Sequence, residues 1–128
     1  MDYETLCDYL ERKVGARRDM PFGADTLVFK VLDKIFALVA WQAEPLSISL
    51  KVDPIEGMFL CRQYDAVVPG YHLNKKHWIT VTLDGSVPDE ELCAMMDDSY
   101  ALVIKGMTRL AKSKLRKMGW QEDGKETG

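Results

Sequence analysis

Two histidines and three cysteines, with no CxxC spacing, are all that 128 residues offer in the way of soft metal ligands. Cys7, Cys61 and Cys93 are odd in number and far apart, so reduced thiols are expected rather than a disulfide framework or a zinc site. No apolar run approaches the roughly 18 residues of a membrane span. The opening Met1-Asp2-Tyr3-Glu4 lacks the basic-then-apolar order of a secretory leader, and a cytoplasmic location is expected. There is no glycine-rich phosphate loop, internal repeat or low-complexity block. The serines sit in no nucleophile-elbow motif, and Glu90-Glu91 and Asp97-Asp98 are adjacent on a predicted helix, so their carboxylates point apart. The chain is not expected to be an enzyme or to carry a cofactor.

What is present is the composition of an ordinary globular core, 47% hydrophobic. That amount suits one domain over residues 1–120, followed by a short polar tail over 121–128. Net charge is −3, but residues 1–104 carry 10 basic and 17 acidic groups while residues 105–128 carry 7 and 3. The body is acidic and the end basic. Lysine and arginine in the last turns of a helix also oppose its dipole, so the asymmetry has a structural account beside a functional one.

The patterning gives a sequence of elements. Leu6, Cys7, Leu10 and Val14 fall at helical spacing, predicting a helix over Tyr3 to Lys13 that Gly15 stops. A polar link with Arg17, Arg18 and Asp19 leads to two β-rich runs, Thr26 to Val31 and Ile35 to Ala40, separated by Leu32-Asp33-Lys34 as in a hairpin. Leu46, Ile48 and Leu50 alternate with Ser47, Ser49 and Lys51 in a half-exposed strand. Asp53 and Pro54 are a helix cap and first position, with Glu56 placed to complete a capping box, and predict a short helix to about Tyr64. The alternation from His77 to Leu83 is the clearest strand and ends at the turn Asp84-Gly85. Pro88 and three acids open the last helix, whose buried stripe is Leu92, Met95, Met96, Ser99, Leu102, Val103 and Met107. The expected fold class is α+β, two layers, an antiparallel sheet with helices packed on one face, in the order α-β-β-β-α-β(β)-α.

Chemistry concentrates in Val68 to Trp78, which holds both histidines, two lysines, an amide and two aromatics behind the turn signal Pro69-Gly70. Asn74, Lys75 and Lys76 suit contact with an anion, two ammonium groups attracting it and an amide orienting it; the same residues also make an ordinary polar turn. Tyr71 and His72 are the side chains expected to stack on a base. His72 and His77, five residues apart on extended chain, project to opposite faces, which argues against a shared metal, and no metal is expected. A second basic group, Lys105, Arg109, Lys112 and Arg116, is spaced four, three and four, placing all four on one face of an extended last helix, with Lys114 and Lys117 widening the stripe.

Pro21 through Val31, Val68 through Trp78, Leu83-Asp84-Gly85 and Asp98-Ser99-Tyr100 resemble the signature segments of the MmcQ/YjbR family of small bacterial proteins. The resemblance extends from about Tyr3 to Lys117. It implies a frataxin-like or secretion-chaperone-like two-layer α/β domain and a DNA-binding role. A frataxin-like comparison also raises iron binding by Asp2, Glu4, Asp8 and Glu11, but acids near a helix N-terminus need no metal to explain them. The resemblance departs at Leu32-Asp33, where relatives carry a glycine-containing turn.

The expected function is DNA binding, with Tyr71, His72, Asn74, Lys75, Lys76, His77, Lys105, Arg109, Lys112 and Arg116 as the contact residues. Such binding is weak and salt-sensitive, on the order of 10⁻⁴ to 10⁻⁶ M. A pI of ≈ 5.4 is low for such a role. The alternative is a protein-interaction or chaperone-like adaptor receiving a peptide or helix on an exposed sheet face or edge. No membrane partner is expected. With no heptad seam or spare hydrophobic face in the pattern, a monomer is expected.

Overall fold

The alternating apolar runs in the middle of the chain become one six-stranded antiparallel sheet, in the order β1-β2-β3-β4-β6-β5. A computed structural model describes residues 1–20, 25–70 and 73–122. Its elements are α1 (Tyr3–Glu11), β1 (Ala16–Asp19), β2 (Leu27–Val31), β3 (Lys34–Ala40), β4 (Ser47–Lys51), α2 (Pro54–Gln63), β5 (Val67–Pro69), β6 (Trp78–Thr82), α3 (Asp89–Lys105) and α4 (Arg109–Lys117). Pairing puts Phe29, Ala37, Leu50 and Ile79 in one row across four strands. These side chains join Leu6 and Leu10 of α1, Leu60 of α2, Met96 and Ile104 of α3 and Leu115 of α4 in one buried cluster. The period of two sends the neighbouring row, Val28, Leu38, Ser49 and Thr80, to the opposite face. The result is the expected α+β arrangement of sheet and helices. Among the described residues no helix is long and apolar enough to cross a membrane.

One irregularity organises the layers. Phe29 pairs with Ala37 but Lys30 pairs with Ile35, so Phe36 is an extra residue in β3. A bulge of this kind leaves backbone groups without ladder partners. The fully buried Ser99 of α3 supplies them: its Oγ donates to Phe36 O (2.6 Å) and accepts from Lys51 N (2.8 Å). One hydroxyl thereby fastens β3, β4 and α3 together. Tyr100 beside it donates to Val14 O (2.6 Å) and meets the Phe36 ring edge-on at 5.4 Å. Burial pushes the Tyr100 phenol up to about 12, keeping it neutral and a donor. Tyr9 of α1 donates to Asp97 of α3 (2.8 Å), and Lys13 pairs with the same carboxylate. Burial first, and that bond second, raise the Tyr9 phenol above its ordinary value.

Two expectations about elements are corrected. Arg17, Arg18 and Asp19 are not a link but the body of β1, which pairs along β2. Their charge disguised the strand. Arg18, across from Phe29, lies over that ring at 5.8 Å and binds both Glu11 oxygens (2.6 and 2.9 Å) while remaining exposed on the helix side of β1. The expected long last helix is two helices. Gly106 caps α3, and Thr108 starts α4 by accepting from Ala111 N (3.1 Å). The polar tail expected over 121–128 falls mostly, from residue 123 onward, outside the described residues.

Ser99→Ala leaves a buried carbonyl and a buried N–H unpaired, and urea unfolding should show a loss of roughly 1–3 kcal/mol. An unchanged midpoint would show that the bulge does not need the hydroxyl. The Arg18 hydrogen bonds hold the Glu11 carboxyl below its ordinary value. The pair therefore adds stability above that ordinary value, and this is lost as pH falls through the folded one. Glu11 is exposed, so the effect is small; Glu11→Gln should flatten the acid limb of a stability-versus-pH curve, and a curve of unchanged slope would contradict it.

Candidate nucleic-acid interface

The loop between β5 and β6 is closed by its own polar groups. Gly70 N donates to Trp78 O (2.7 Å), Asn74 Oδ1 accepts from Lys76 N (2.9 Å), Asn74 O accepts from His77 N (3.2 Å), and Lys75 Nζ donates to Gly70 O (3.0 Å). His77 O in turn accepts from Val52 N (2.8 Å), anchoring the loop to the end of β4. Asn74 and Lys75 therefore hold the turn together. Lys76 and His77 are exposed and offer a charge and an imidazole to solvent. Tyr71 and His72, expected to stack on a base, lie outside the described residues, as do 21–24 of the first signature segment.

The second basic group is not the single-helix stripe expected. Lys105 ends α3, while Arg109, Lys112 and Arg116 lie on α4 beyond the break at Gly106-Met107-Thr108. A change of direction between two helices replaces the continuous row. Arg116 also pairs with Glu122 (3.6 Å) and lies over the Trp120 ring at 5.4 Å. Leu115 is the buried anchor of α4, and its Cδ2 sits where a side chain at Gly15 would begin, 2.7 Å from that position. Glycine at 15, with φ +78°, is what lets α4 seat there.

Strand registers show where these groups lie relative to each other. Ala16 pairs with Val31 beside the β2–β3 turn, Lys51 with Trp78, and Pro69 with Ile79. The start of β1, the β2–β3 turn, the end of β4 and the β5–β6 loop are consequently at the same end of the sheet. Lys105 reaches that end too, lining a cleft with Lys51 and Asp53. α4 borders the β2–β3 turn, with Lys114, Arg17 and Lys34 around a shared hollow. From that turn to the β5–β6 loop is three strand spacings, about 14 Å. Lys34, which the patterning had not singled out, borders the α4 hollow at this end.

The opposite end is acidic. The Met1 ammonium meets Asp89 there (3.4 Å), beside the end of β6, and Asp84, Asp65, Glu44 and Asp25 lie in the connections and termini at that end. Acids at the basic end include Asp33, Asp53, Glu56, Asp98 and Glu122; Asp53 is occupied in capping α2 through Ile55 N and Glu56 N, and Glu122 pairs with Arg116. A net charge of −3 thus conceals an uneven distribution of cations along the strand direction.

Other groups raised by the sequence have structural occupations. Asp2 caps α1 by accepting from Thr5 N (2.9 Å), and Glu11 is held by Arg18. Among the described residues, no three His, Cys, Asp or Glu side chains are grouped so as to hold a metal ion. On the face opposite the helices, a hollow of ≈ 710 Å³ is lined by Leu38, Ser47, Ser49, Leu73 and Thr80. Ser49 and Thr80 hydroxyls bond each other across it at 2.8 Å.

A side chain at Gly70 would start 2.7 Å from Trp78 Cβ and 3.1 Å from Trp78 O. Gly70→Ala should cost roughly 1–3 kcal/mol in chemical denaturation, as overpacking does. A neutral result would mean that the loop shifts freely and is not a fixed platform.

The family model named YjbR matches residues 11–102. The chain is 37% identical over 104 residues to the uncharacterized protein YjbR of Escherichia coli strain K12, covering 81% of this chain and 88% of that one. It is 35% identical over 96 residues to the uncharacterized protein YbdF of Escherichia coli O157:H7, covering 75% and 79%. Among solved structures, the Deinococcus radiodurans protein DR2400, with family-model domain DUF419, superposes with TM-score 0.85 at 40% identity, covering 97% of this chain and 94% of that one. A Pseudomonas syringae protein superposes with TM-score 0.69 at 31% identity, covering 80% and 99%.

Proposed function

The chain belongs to the YjbR family, and on that premise we propose that it binds nucleic acid through the basic end of its sheet. The observation that carries the reading is the convergence of Lys34, Lys51, Lys76, Lys105 and the α4 cations toward one end, with Asp25, Glu44, Asp65, Asp84 and Asp89 at the other. A duplex presents about one negative charge per 1.7 Å of axis, so it offers about eight across the 14 Å between the β2–β3 turn and the β5–β6 loop. Repulsion from the acidic end is screened, because that end lies farther away than the Debye length of about 8 Å at physiological salt. The low pI therefore loses its force as an objection.

The chemistry is that of backbone contact. Lysine ammonium groups act as point charges, and Arg109 and Arg116 can each grip a phosphate with two donors. Phosphate contacts position a protein on a duplex without reading its sequence, so affinity without strong base preference is what this surface supports. The alternative, an adaptor that holds another protein, has a different surface in its favour: α2 carries apolar side chains on its outward face.

The test is fluorescence anisotropy of a labelled duplex over a range of salt. The wild type should bind saturably, and log affinity should fall linearly with log salt concentration. Arg109→Ala with Lys112→Ala and Lys34→Ala should weaken binding to all sequences alike and lower the salt slope by about 1 for each phosphate that the variant no longer neutralises. No binding by the folded wild type at low salt, or a variant that binds as well, would overturn the proposal.

A further inference from the structure

α2 is packed the wrong way round for a helix that only covers a sheet. Its inward residues are Gly57 and Leu60, while Ile55, Met58 and Phe59 are 65%, 56% and 59% exposed. Spacings of three and four place these three side chains in one outward stripe, which Arg62 continues a turn later. Exposed apolar side chains scattered singly need no explanation, but a contiguous stripe on one helix marks a contact surface.

The two flanks of the stripe carry opposite charge. On one side, between α2 and the β5–β6 loop, a groove of ≈ 430 Å³ is lined by Met58 and Pro69 and bordered by Arg62, Lys75 and Lys76. On the other, between α2 and α3, a cleft of ≈ 520 Å³ has Leu60 and Met95 in its floor and, on its border, four carboxylates (Asp53, Glu56, Glu91 and Asp98) against the two ammonium groups of Lys51 and Lys105, so this flank is net acidic. The surface therefore grades from basic through apolar to acidic across the helix.

We infer that this face of α2 pairs with the same face of a second copy of the chain. Two copies related by a two-fold axis running along α2 bring the basic flank of each over the acidic flank of the other, with the apolar stripes against each other between them. An axis across the helix would set like charge against like. Only the first arrangement is self-complementary, as a closed two-fold interface requires. It has the usual anatomy of an interface, an apolar centre with a charged rim. Its anchor is Phe59, since buried aromatic side chains dominate such contacts.

The geometry has a consequence for the rest of the molecule. α2 leaves the end of β4 at the basic end and delivers the chain to the start of β5 at the other. An axis along it keeps both copies pointing the same way, so their basic ends lie side by side. The pairing stands whether or not that end meets nucleic acid. The spare apolar face that the sequence pattern did not reveal is the one created when α2 turns Ile55, Met58 and Phe59 outward.

Sedimentation of the full chain, without nucleic acid, tests the pairing. The wild type should sediment as a dimer that dissociates on dilution. Phe59→Glu, at an exposed position that leaves folding intact by circular dichroism, should weaken association about 30-fold or more, as loss of an interface anchor does. Arg62→Glu with Lys76→Glu should also give monomer, and adding Glu56→Lys with Glu91→Lys to the same chain should restore the dimer. A wild type that stays monomeric at high concentration, a dimer indifferent to Phe59→Glu, or charge reversal without recovery would each overturn the inference.

Discussion

The hydroxyl of Ser99 holds the molecule in register. An extra residue in β3 lets Phe36 and Ala37 both enter the core, at the expense of the regular ladder to the neighbouring strands. Bulges are tolerated where something else takes up the displaced backbone groups. Here that partner comes from α3, with Oγ bonded to Phe36 O and Lys51 N. The same bonds fix where α3 lies along the sheet. Its C-terminus, and with it Lys105, is then delivered to the end of β4, and α4 must start beyond the β2–β3 turn. Without that seam the positions of Lys34, Lys51, Lys105 and the α4 cations relative to one another would not be set.

The proposed binding rests on the direction of the connections. Antiparallel connections place alternate loops at opposite ends of a sheet, so a chain can separate its charges by loading alternate connections with opposite sign. This one has Lys34 near one turn and Lys76 in another at the same end, against Asp25, Glu44 and Asp84 in connections at the other. The separation makes a modest number of cations act together while the molecule as a whole stays anionic. Steering by such a field acts on approach and affinity more than on selectivity.

Much of the fold was legible because local chemistry and tertiary need agree. The alternation of Leu46 to Lys51 and of His77 to Leu83 became β4 and β6, and Asp53-Pro54 began α2 as its cap and first position. The charge of β1 hid it: exposed Arg17 and Arg18 looked like linker because the partner of Arg18, Glu11, lies on a different element. Reading failed at Gly106 and Thr108, a helix stop and a helix start whose signals were present but were overridden by the even spacing of cations across them. Leu32, with φ +56°, occupies the place of a turn glycine and packs its side chain against the core. Of the residues that the pattern named, Lys76, His77, Lys105 and the α4 cations lie toward one end of the sheet. The pattern did not single out Lys34 at that end, because which turns share an end depends on pairing that no local spacing encodes. Asn74 and Lys75 serve the loop they belong to, which is the bland account the sequence already offered.

The central claim is that charge is segregated by the fold into one polyanion-binding end. The most direct measurement is an amide chemical-shift map of isotopically labelled protein titrated with a short duplex. Shifts are expected at residues 74–77, around Lys34, and from Lys105 through Arg116, with none at Asp65, Asp84 or Asp89. Shifts concentrated instead on Ser49 and Thr80 of the open sheet face, or at the acidic end, would contradict it.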